Sequence, residues 1–282
     1  DVLGTDGPAQ VQEALSDWDK FNAVAEQAAA KGYKMLSGYD DSYRTFSNNV
    51  SAPWVTGTTV TVDENLMKWV EQTKTYTDNG YNNKSSLWSD VWAADQGPDG
   101  KVFGFFYSTW GINFTLLGNS LETPEAEGGK AEAGNGIYGD YAVCEGPQPY
   151  YWGGTWICVY PKTDNAKEAG QFIYTMTADA DAMQKYVDVR GDFVNNKGVM
   201  SATTEAGTNS NPLFGGQDQF QILFNSADKI DMSIASEYDA KINTDLQNAV
   251  QDYCNGVTAS EDDCLNAFLD AIAADVTDIT VE

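Results

Sequence analysis

Apolar residues recur at helical spacing in several segments of the chain, and capping residues mark where these segments begin and end. In the first segment, apolar positions recur every three or four residues from Leu15 to Ala28, and Gly32 follows as a stop. A second segment follows Asp63, a residue typical of an N-cap, and ends near Gly80. The pattern predicts one helix from the turn at residues 5–8 to residue 31 and another over residues 64–79.

The same reasoning predicts further helices along the rest of the chain. They are a short helix carrying Leu87, Trp88 and Trp92, one from Trp110 to Leu117, one after Asn165 whose core face includes Phe172, Ile173 and Met176, and a mainly helical last hundred residues.

Four short segments are predicted to be strands. Residues 101–107 form a continuous apolar run of strand length, as expected for a strand covered on both faces. The other strands are predicted at residues 33–36, 141–144 and 156–160. Strands that alternate with helices in this way favour an α/β fold.

The charge balance excludes several classes of function. Sixteen Lys and Arg against 42 Asp and Glu give a net charge of −26, which repels nucleic-acid phosphates and anionic membrane surfaces. Histidine is absent, which removes His-based catalytic triads and zinc sites. No phosphate-binding loop or dinucleotide fingerprint is present, so we expect no cofactor. No EF-hand loop or other metal motif is found either, but the many acidic residues leave calcium binding open. No apolar run approaches the roughly 20 residues of a membrane span.

Aromatic residues are the class in excess, with 8 Trp and 15 Tyr. Flat rings beside carboxylates and amides suit a neutral, hydroxyl-rich ligand, because a sugar stacks its C–H face on a ring while its hydroxyls form hydrogen bonds. The two classes occur together at residues 39–44, 48–54, 107–113 and 145–156. Trp18 and Trp69 lie on helix faces and are expected in the core.

The four cysteines form two close pairs in the sequence. Four cysteines allow three pairings, and the local disulfides Cys144–Cys158 and Cys254–Cys264 are the economical choice. An even count in an acidic chain favours an oxidising, extracytoplasmic location, and four reduced thiols are the alternative.

In four places the sequence is similar to one family, the extracellular carbohydrate-binding proteins of bacterial ABC importers, which includes maltose-binding protein. These places are residues 16–39, which begin with a Ser-Asp-Trp-Asp-Lys-Phe helix, the run 101–110 ending at Trp110, the crossing at 146–156 with its following helix to Phe172, and the closing helices from Tyr253 to Phe268.

The resemblance implies a periplasmic-binding-protein-like, type II architecture of two α/β lobes. By this mapping, residues 1–151 and 236–282 form a complete C-terminal lobe, and residues 152–235 are the returning segment of a partial N-terminal lobe. The first part of the N-terminal lobe, roughly 100 to 150 residues, would be absent. We therefore expect the 152–235 helices to pack on each other as a reduced lobe or to self-associate with a second copy.

The resemblance also implies a ligand, partners and a site. The ligand is a carbohydrate, an oligosaccharide, that is delivered to ABC importer permease subunits, and the full-length protein is extracellular and tethered as a lipoprotein, or periplasmic. Positions that match the family's cleft are Tyr39, Asp40, Asp41, Tyr43, Trp110, Trp152, Trp156 and Tyr238, with Gln217 and Asp218 as weaker candidates. No catalytic residue is expected.

Two alternatives stay open at this point. One is a secreted carbohydrate-active enzyme that uses a carboxylate pair, for which Asp40 and Asp41 are neighbours but would point in opposite directions from a strand end. The other is a fragment that binds no ligand, because half of the cleft would be missing.

Overall fold

The computed structural model describes residues 2–4, 7–276 and 278–281 of the chain, so Thr5 and Asp6 of the first predicted cap lie outside the described residues. The α-helices in the first half are α1 (Pro8–Ala14), α2 (Trp18–Ala30), α3 (Tyr43–Ser47), α4 (Glu64–Asp78), α5 (Asp90–Asp95) and α6 (Leu117–Asn119), the last directly preceded by a π-helical turn, Ile112–Leu116. Those in the second half are α7 (Ala166–Thr177), α8 (Ala180–Arg190), α9 (Lys197–Ala206), α10 (Gln219–Ala227), α11 (Asp239–Cys254) and α12 (Glu261–Asp275).

The first predicted helix is two helices in the structure. The carboxylate of Asp17 accepts the backbone N–H of Lys20 at 2.8 Å and caps a new helix, so the chain bends between α1 and α2. The helix predicted after Asp63 is confirmed, and Asp63 caps it by accepting the N–H of Asn65 at 2.7 Å.

The sheets are small. Strand β1 (Leu36–Gly38) pairs in parallel with β4 (Asn82–Ser85), and β2 (Val55–Thr56) pairs antiparallel with β3 (Thr59–Val60). An isolated parallel bridge joins Lys34 to Val102 beside the first pair. The described part of the chain is therefore mainly helical, with the predicted strand character concentrated around residues 34–38.

The strand predicted over residues 101–107 is shorter than expected. Phe103 and Gly104 donate their N–H groups to the carbonyls of Lys34 and Met35, and the pairing stops there. At Tyr107 a side chain replaces the next strand, because the Tyr150 hydroxyl accepts the Tyr107 N–H and donates to the Tyr107 carbonyl, both at 2.7 Å.

The strands predicted at residues 141–144 and 156–160 are absent, which corrects the sequence prediction. The side-chain amide of Gln217 accepts the N–H of Val143 and donates to the Val143 carbonyl, both at 2.8 Å. One glutamine thus satisfies the backbone groups that a neighbouring strand would have bonded. Both polar atoms of the Gln217 side-chain amide are therefore bonded to the Val143 backbone.

The buried apolar residues form four clusters. The first joins residues 39–70 to α11 and α12, and the second joins α2 to β1 and Phe106. The third packs Ile112 and Leu116 against Leu213 and Phe214, and so connects the two predicted lobes. The fourth lies within residues 183–220. The division into lobes stays a prediction.

Two faces of the predicted partial lobe differ in burial. Phe220 is buried with Met200 in the fourth cluster, and Phe224 packs against it, as expected for helices that pack on one another. On α7, however, Phe172 is 59% and Met176 50% exposed, so the predicted core face of this helix is wrong for the single chain. The physical reason is that α7 packs against the neighbouring helix α8. The paired strands, on which its apolar face was expected to lie, are formed by residues 34–102 and Thr280, outside the predicted partial lobe.

Candidate functional site

Three tryptophan rings meet at the surface of the protein. Trp88 and Trp110 stack with centroids 5.7 Å apart and planes 12° from parallel. Trp152 stands edge-on to both, at 5.9 Å from Trp88 and 6.4 Å from Trp110. Trp88 is 47% and Trp110 36% exposed, so the group presents ring surface to solvent. We call these three residues the tryptophan cluster.

A buried layer supports the tryptophan cluster from below. Trp92 is buried, lies 5.1 Å from the Trp88 ring, and stacks on Tyr107 at 5.6 Å with planes 8° apart. The Tyr107 hydroxyl donates to the Gln96 side chain at 3.1 Å, and burial raises the pKa of Tyr107 to about 12. The support is therefore packed and neutral.

The backbone at Trp88 is strained. Its φ is +68°, a left-handed conformation that costs a non-glycine residue about 1 kcal/mol or more. The preceding N–H, from Leu87, donates to the Asp40 carboxylate at 3.0 Å, and Ser89 caps α5 directly after it. Anchors on both sides thus hold the strained residue, and strain held in this way is common at binding sites.

Trp110 lies at the start of the helical turn that leads into α6. Ser108 accepts the N–H of Gly111 at 3.1 Å and so fixes the beginning of this turn. The indole N–H of Trp110 donates to the carbonyl of Trp152 at 3.3 Å. As a result, the predicted residues Trp110 and Trp152 are brought together, although they lie 42 positions apart.

The two predicted acidic residues have different surroundings. Asp40 is partly exposed and is bonded to the Leu87 backbone, and burial raises the pKa of its carboxyl. Asp41 is fully enclosed, accepts the N–H groups of Ser37 and Gly38 at 2.8 and 2.9 Å, and has its pKa raised by burial to about 7. Asp41 closes the turn after β1, while Asp40 positions the strained loop of the tryptophan cluster.

A groove of about 560 Å³ lies beside the tryptophan cluster. Its polar lining residues include Asn48, Asn243 and Gln247, the acidic residues Asp63, Asp231 and Asp239, and Arg44. Aromatic rings from Tyr43, Trp54, Tyr151 and Trp156 complete the lining. The groove and the tryptophan cluster are contiguous, because Arg44 lines the groove and its guanidinium carbon lies 4.0 Å from the centre of the Trp152 ring.

The aromatic residues of the groove differ in burial and in hydrogen bonding. Tyr43 is buried, and its hydroxyl donates to the Asn243 side-chain oxygen, which also accepts the indole N–H of Trp54 at 2.8 Å. Trp156 is 84% exposed in an extended segment. Tyr151, five residues earlier, has its backbone N–H bonded to Asn48 at 2.6 Å. Tyr43 therefore shapes one wall, and Trp156 is open to contact.

Three other predicted residues have partners elsewhere in the fold. Tyr39 is buried in the first cluster and donates its hydroxyl to Asn255 at 2.8 Å. Tyr238 packs against the same cluster and donates to Asp278 at 3.0 Å. Asp218 caps α10 by accepting the N–H of Phe220 at 2.9 Å. The structure does not bring these side chains to the tryptophan cluster or the groove lining.

Comparison with known proteins now bears on the fold and the site together. The family model for bacterial extracellular solute-binding proteins matches residues 3–214. The chain belongs to this family. A solved structure, that of an extracellular solute-binding protein of family 1, is similar with a TM-score of 0.75 and 18% sequence identity over 95% of this chain. The present chain spans 66% of the length of that protein. At this level of identity the likeness establishes the fold alone. No curated protein sequence matches.

All four cysteines of this chain are free thiols in the structure, so neither predicted disulfide is formed there. Cys254 and Cys264 are both buried in the first cluster, where burial raises the pKa of each thiol. Cys144 is largely enclosed, whereas Cys158 is exposed in the extended segment. The disulfide pairings stay a prediction from the sequence.

Sequence reasoning missed two residues of this site. Trp88 was placed on a helix face, but it precedes the Ser89 cap, and a tryptophan just before a cap lies outside the helical period. Arg44 was inside a recognised aromatic and acidic segment but was not singled out. Its signal was available, because the chain has two arginines among 282 residues, Arg44 and Arg190.

The described residues contain no group of three or more Cys, Asp or Glu side chains placed to hold a metal ion. Among the same residues, no helix has both the length and the apolar character to cross a membrane.

Proposed function

We propose that this chain binds a carbohydrate, an oligosaccharide, at the tryptophan cluster and the adjoining groove, for delivery to the permease subunits of an ABC importer. The observation that carries the proposal is the exposed ring surface of Trp88 and Trp110, with Trp152 edge-on to both, next to a groove lined by amide and acidic residues. A pyranose ring needs both features, one for its C–H face and the other for its hydroxyls.

The enzyme alternative has weaker support from the geometry. The Asp40 carboxylate is bonded to a backbone N–H and Asp41 is enclosed beneath the turn after β1. A glycoside hydrolase needs two carboxyl groups facing one bond across a gap of about 5 to 10 Å. Proteins of solute-binding families typically act by binding, which supports a binding function over an enzymatic one for this chain.

The test is calorimetric titration of the chain with a panel of neutral and acidic oligosaccharides, combined with tryptophan fluorescence. We expect weak but specific binding with a change in tryptophan emission. Trp110→Ala should abolish most of the affinity, while the free energy of unfolding should fall by less than the roughly 3–5 kcal/mol expected for a fully buried aromatic residue, because the ring is partly exposed.

The matched control is Tyr174→Ala, which removes a 51% exposed ring on α7, away from the tryptophan cluster. It should leave affinity unchanged. Equal affinity in wild type and Trp110→Ala would exclude the tryptophan cluster as the binding surface. Product formation during the titration would favour the enzyme, and no binding of any glycan would favour the non-binding fragment.

A further inference from the structure

Arg44 has a charge that the protein leaves without a close partner. The ion pairs of the described residues within 4 Å are all made by lysines. One terminal nitrogen of Arg44, Nη1, is buried and has no hydrogen-bond partner among the described residues. A buried donor without an acceptor is unfavourable, and more so when it is charged. The other nitrogens of the guanidinium also form no hydrogen bond to a described residue, so a ligand in the groove that Arg44 lines would meet a cation without a bonded acceptor.

The nearby carboxylates do not supply that acceptor. Asp40 interacts electrostatically with Arg44, but its oxygens accept the Leu87 N–H. Across the groove, Asp63 accepts from the Ser51 N–H and hydroxyl at 2.8 and 2.6 Å. These carboxylates are already bonded by local donors, whereas the guanidinium is not.

Arg44 lies where the tryptophan cluster meets the groove. Its guanidinium lies over the Trp152 ring at 4.0 Å, and the residue also lines the groove. Among the described residues that line the groove, Arg44 is the one cationic residue. A ligand that stacks on the tryptophan cluster and extends into the groove would therefore pass the guanidinium.

We propose that Arg44 binds the carboxylate of an acidic sugar, so that the ligand class is a uronate-containing oligosaccharide. This inference rests on the proposed function. A carboxylate matches the guanidinium in charge and in its paired oxygens, whereas a hydroxyl would leave the charge unbalanced. A phosphate monoester would place close to two negative charges beside the single cationic residue of the described groove lining, whereas each uronate unit carries one.

The experiment compares trigalacturonate with its methyl ester, since esterification removes the charges and keeps the carbon skeleton, and adds maltotriose as a neutral probe. We expect wild type to bind the acid at least ten times more tightly than the ester. Arg44→Gln should reduce this preference to about one, and Arg44→Lys should retain part of it. Arg190→Gln, which removes the exposed second arginine, should keep the full preference.

The outcomes separate this inference from the function on which it rests. Binding of maltotriose or the ester at least as tight as that of trigalacturonate would overturn the role of Arg44 and leave carbohydrate binding standing. A preference for the acid that survives in folded Arg44→Gln, checked by circular dichroism, would also overturn it. If none of the three probes binds, both proposals fail. The wild-type comparison decides the ligand class even if an Arg44 variant does not fold.

Discussion

Helices α4 and α7 begin from similar sequence patterns and end in opposite environments. Both have an apolar face at helical spacing. On α4 that face, which includes Leu66, Trp69 and Val70, is fully buried between α3 and α11. On α7 the corresponding face leaves Phe172 and Met176 at least half exposed. Periodicity predicts a helix and its apolar side, but what covers that side depends on residues far away in the chain.

The comparison extends to polar groups. In the region around α4, Tyr43 and Trp54 share one acceptor on Asn243, 189 or more positions away. The helix α7, by contrast, has side-chain hydrogen bonds within itself, such as Thr177 to the Ile173 carbonyl at 2.8 Å. The packed region is therefore held by long-range contacts and α7 by local ones, so substitutions in the two regions should differ in their effects on stability.

The largest effect is expected from Trp69→Ala, in the packed region. Removing this fully buried ring should lower the free energy of unfolding by about 3–5 kcal/mol, measured by urea denaturation followed by circular dichroism. Trp69→Phe is the control. It should cost less, because it keeps an aromatic ring and removes an indole N–H that has no partner among the described residues. A loss below about 1 kcal/mol for Trp69→Ala would show that the packed region is looser than described.

The sequence was sufficient for the local elements. Residues typical of N-caps, such as Asp63 and Asn165, located the beginnings of helices, and α4 and α7 follow directly after them. The strands at residues 141–144 and 156–160 could not be predicted correctly, because a strand exists only when a second strand bonds to it. At Val143 the partner is the Gln217 side chain, and no local pattern reveals a contact across 74 positions.

The candidate site was predicted in part for the same reason. Trp110 and Trp152 stood among polar residues, which marked them as surface aromatics, and the structure places them in one cluster. Tyr39 and Asp41 lie in an equally polar segment, yet both are buried. Alternation of aromatic and acidic residues identifies the segment, whereas the direction of each side chain follows from the tertiary fold.

A smaller effect on the free energy of unfolding is expected from the ionisation of the Asp41 carboxyl. It should make the stability of the packed region depend on pH. Burial raises its pKa from 3.8 to about 7 in the folded state. Between about pH 4 and pH 7 the unfolded chain therefore loses a proton that the folded chain keeps, and rising pH favours unfolding. Stability should fall across this interval by an amount on the order of 2–4 kcal/mol, and the dependence should be absent below it.

Asp41→Asn isolates this contribution. Charge repulsion among the 42 acidic residues also weakens the fold as pH rises, and it acts in both proteins. The asparagine keeps an oxygen for the Ser37 and Gly38 N–H groups. Urea midpoints measured from pH 4 to pH 8 should fall less steeply in the variant. Parallel profiles would mean that Asp41 is ionised at little cost.

The smallest effect is expected from Phe172→Ala on α7. A 59% exposed ring loses little burial when it is truncated, so the free energy of unfolding should change by less than about 0.5 kcal/mol at micromolar protein concentration. Sedimentation velocity over a hundredfold range of concentration provides the second measurement. If a second copy covers this face, as the sequence predicts for one alternative, the cost of Phe172→Ala should grow with concentration and the variant should sediment more slowly than wild type. A cost above about 2 kcal/mol for a chain that stays monomeric would show that α7 is covered within the chain itself, and the contrast with α4 would then be wrong.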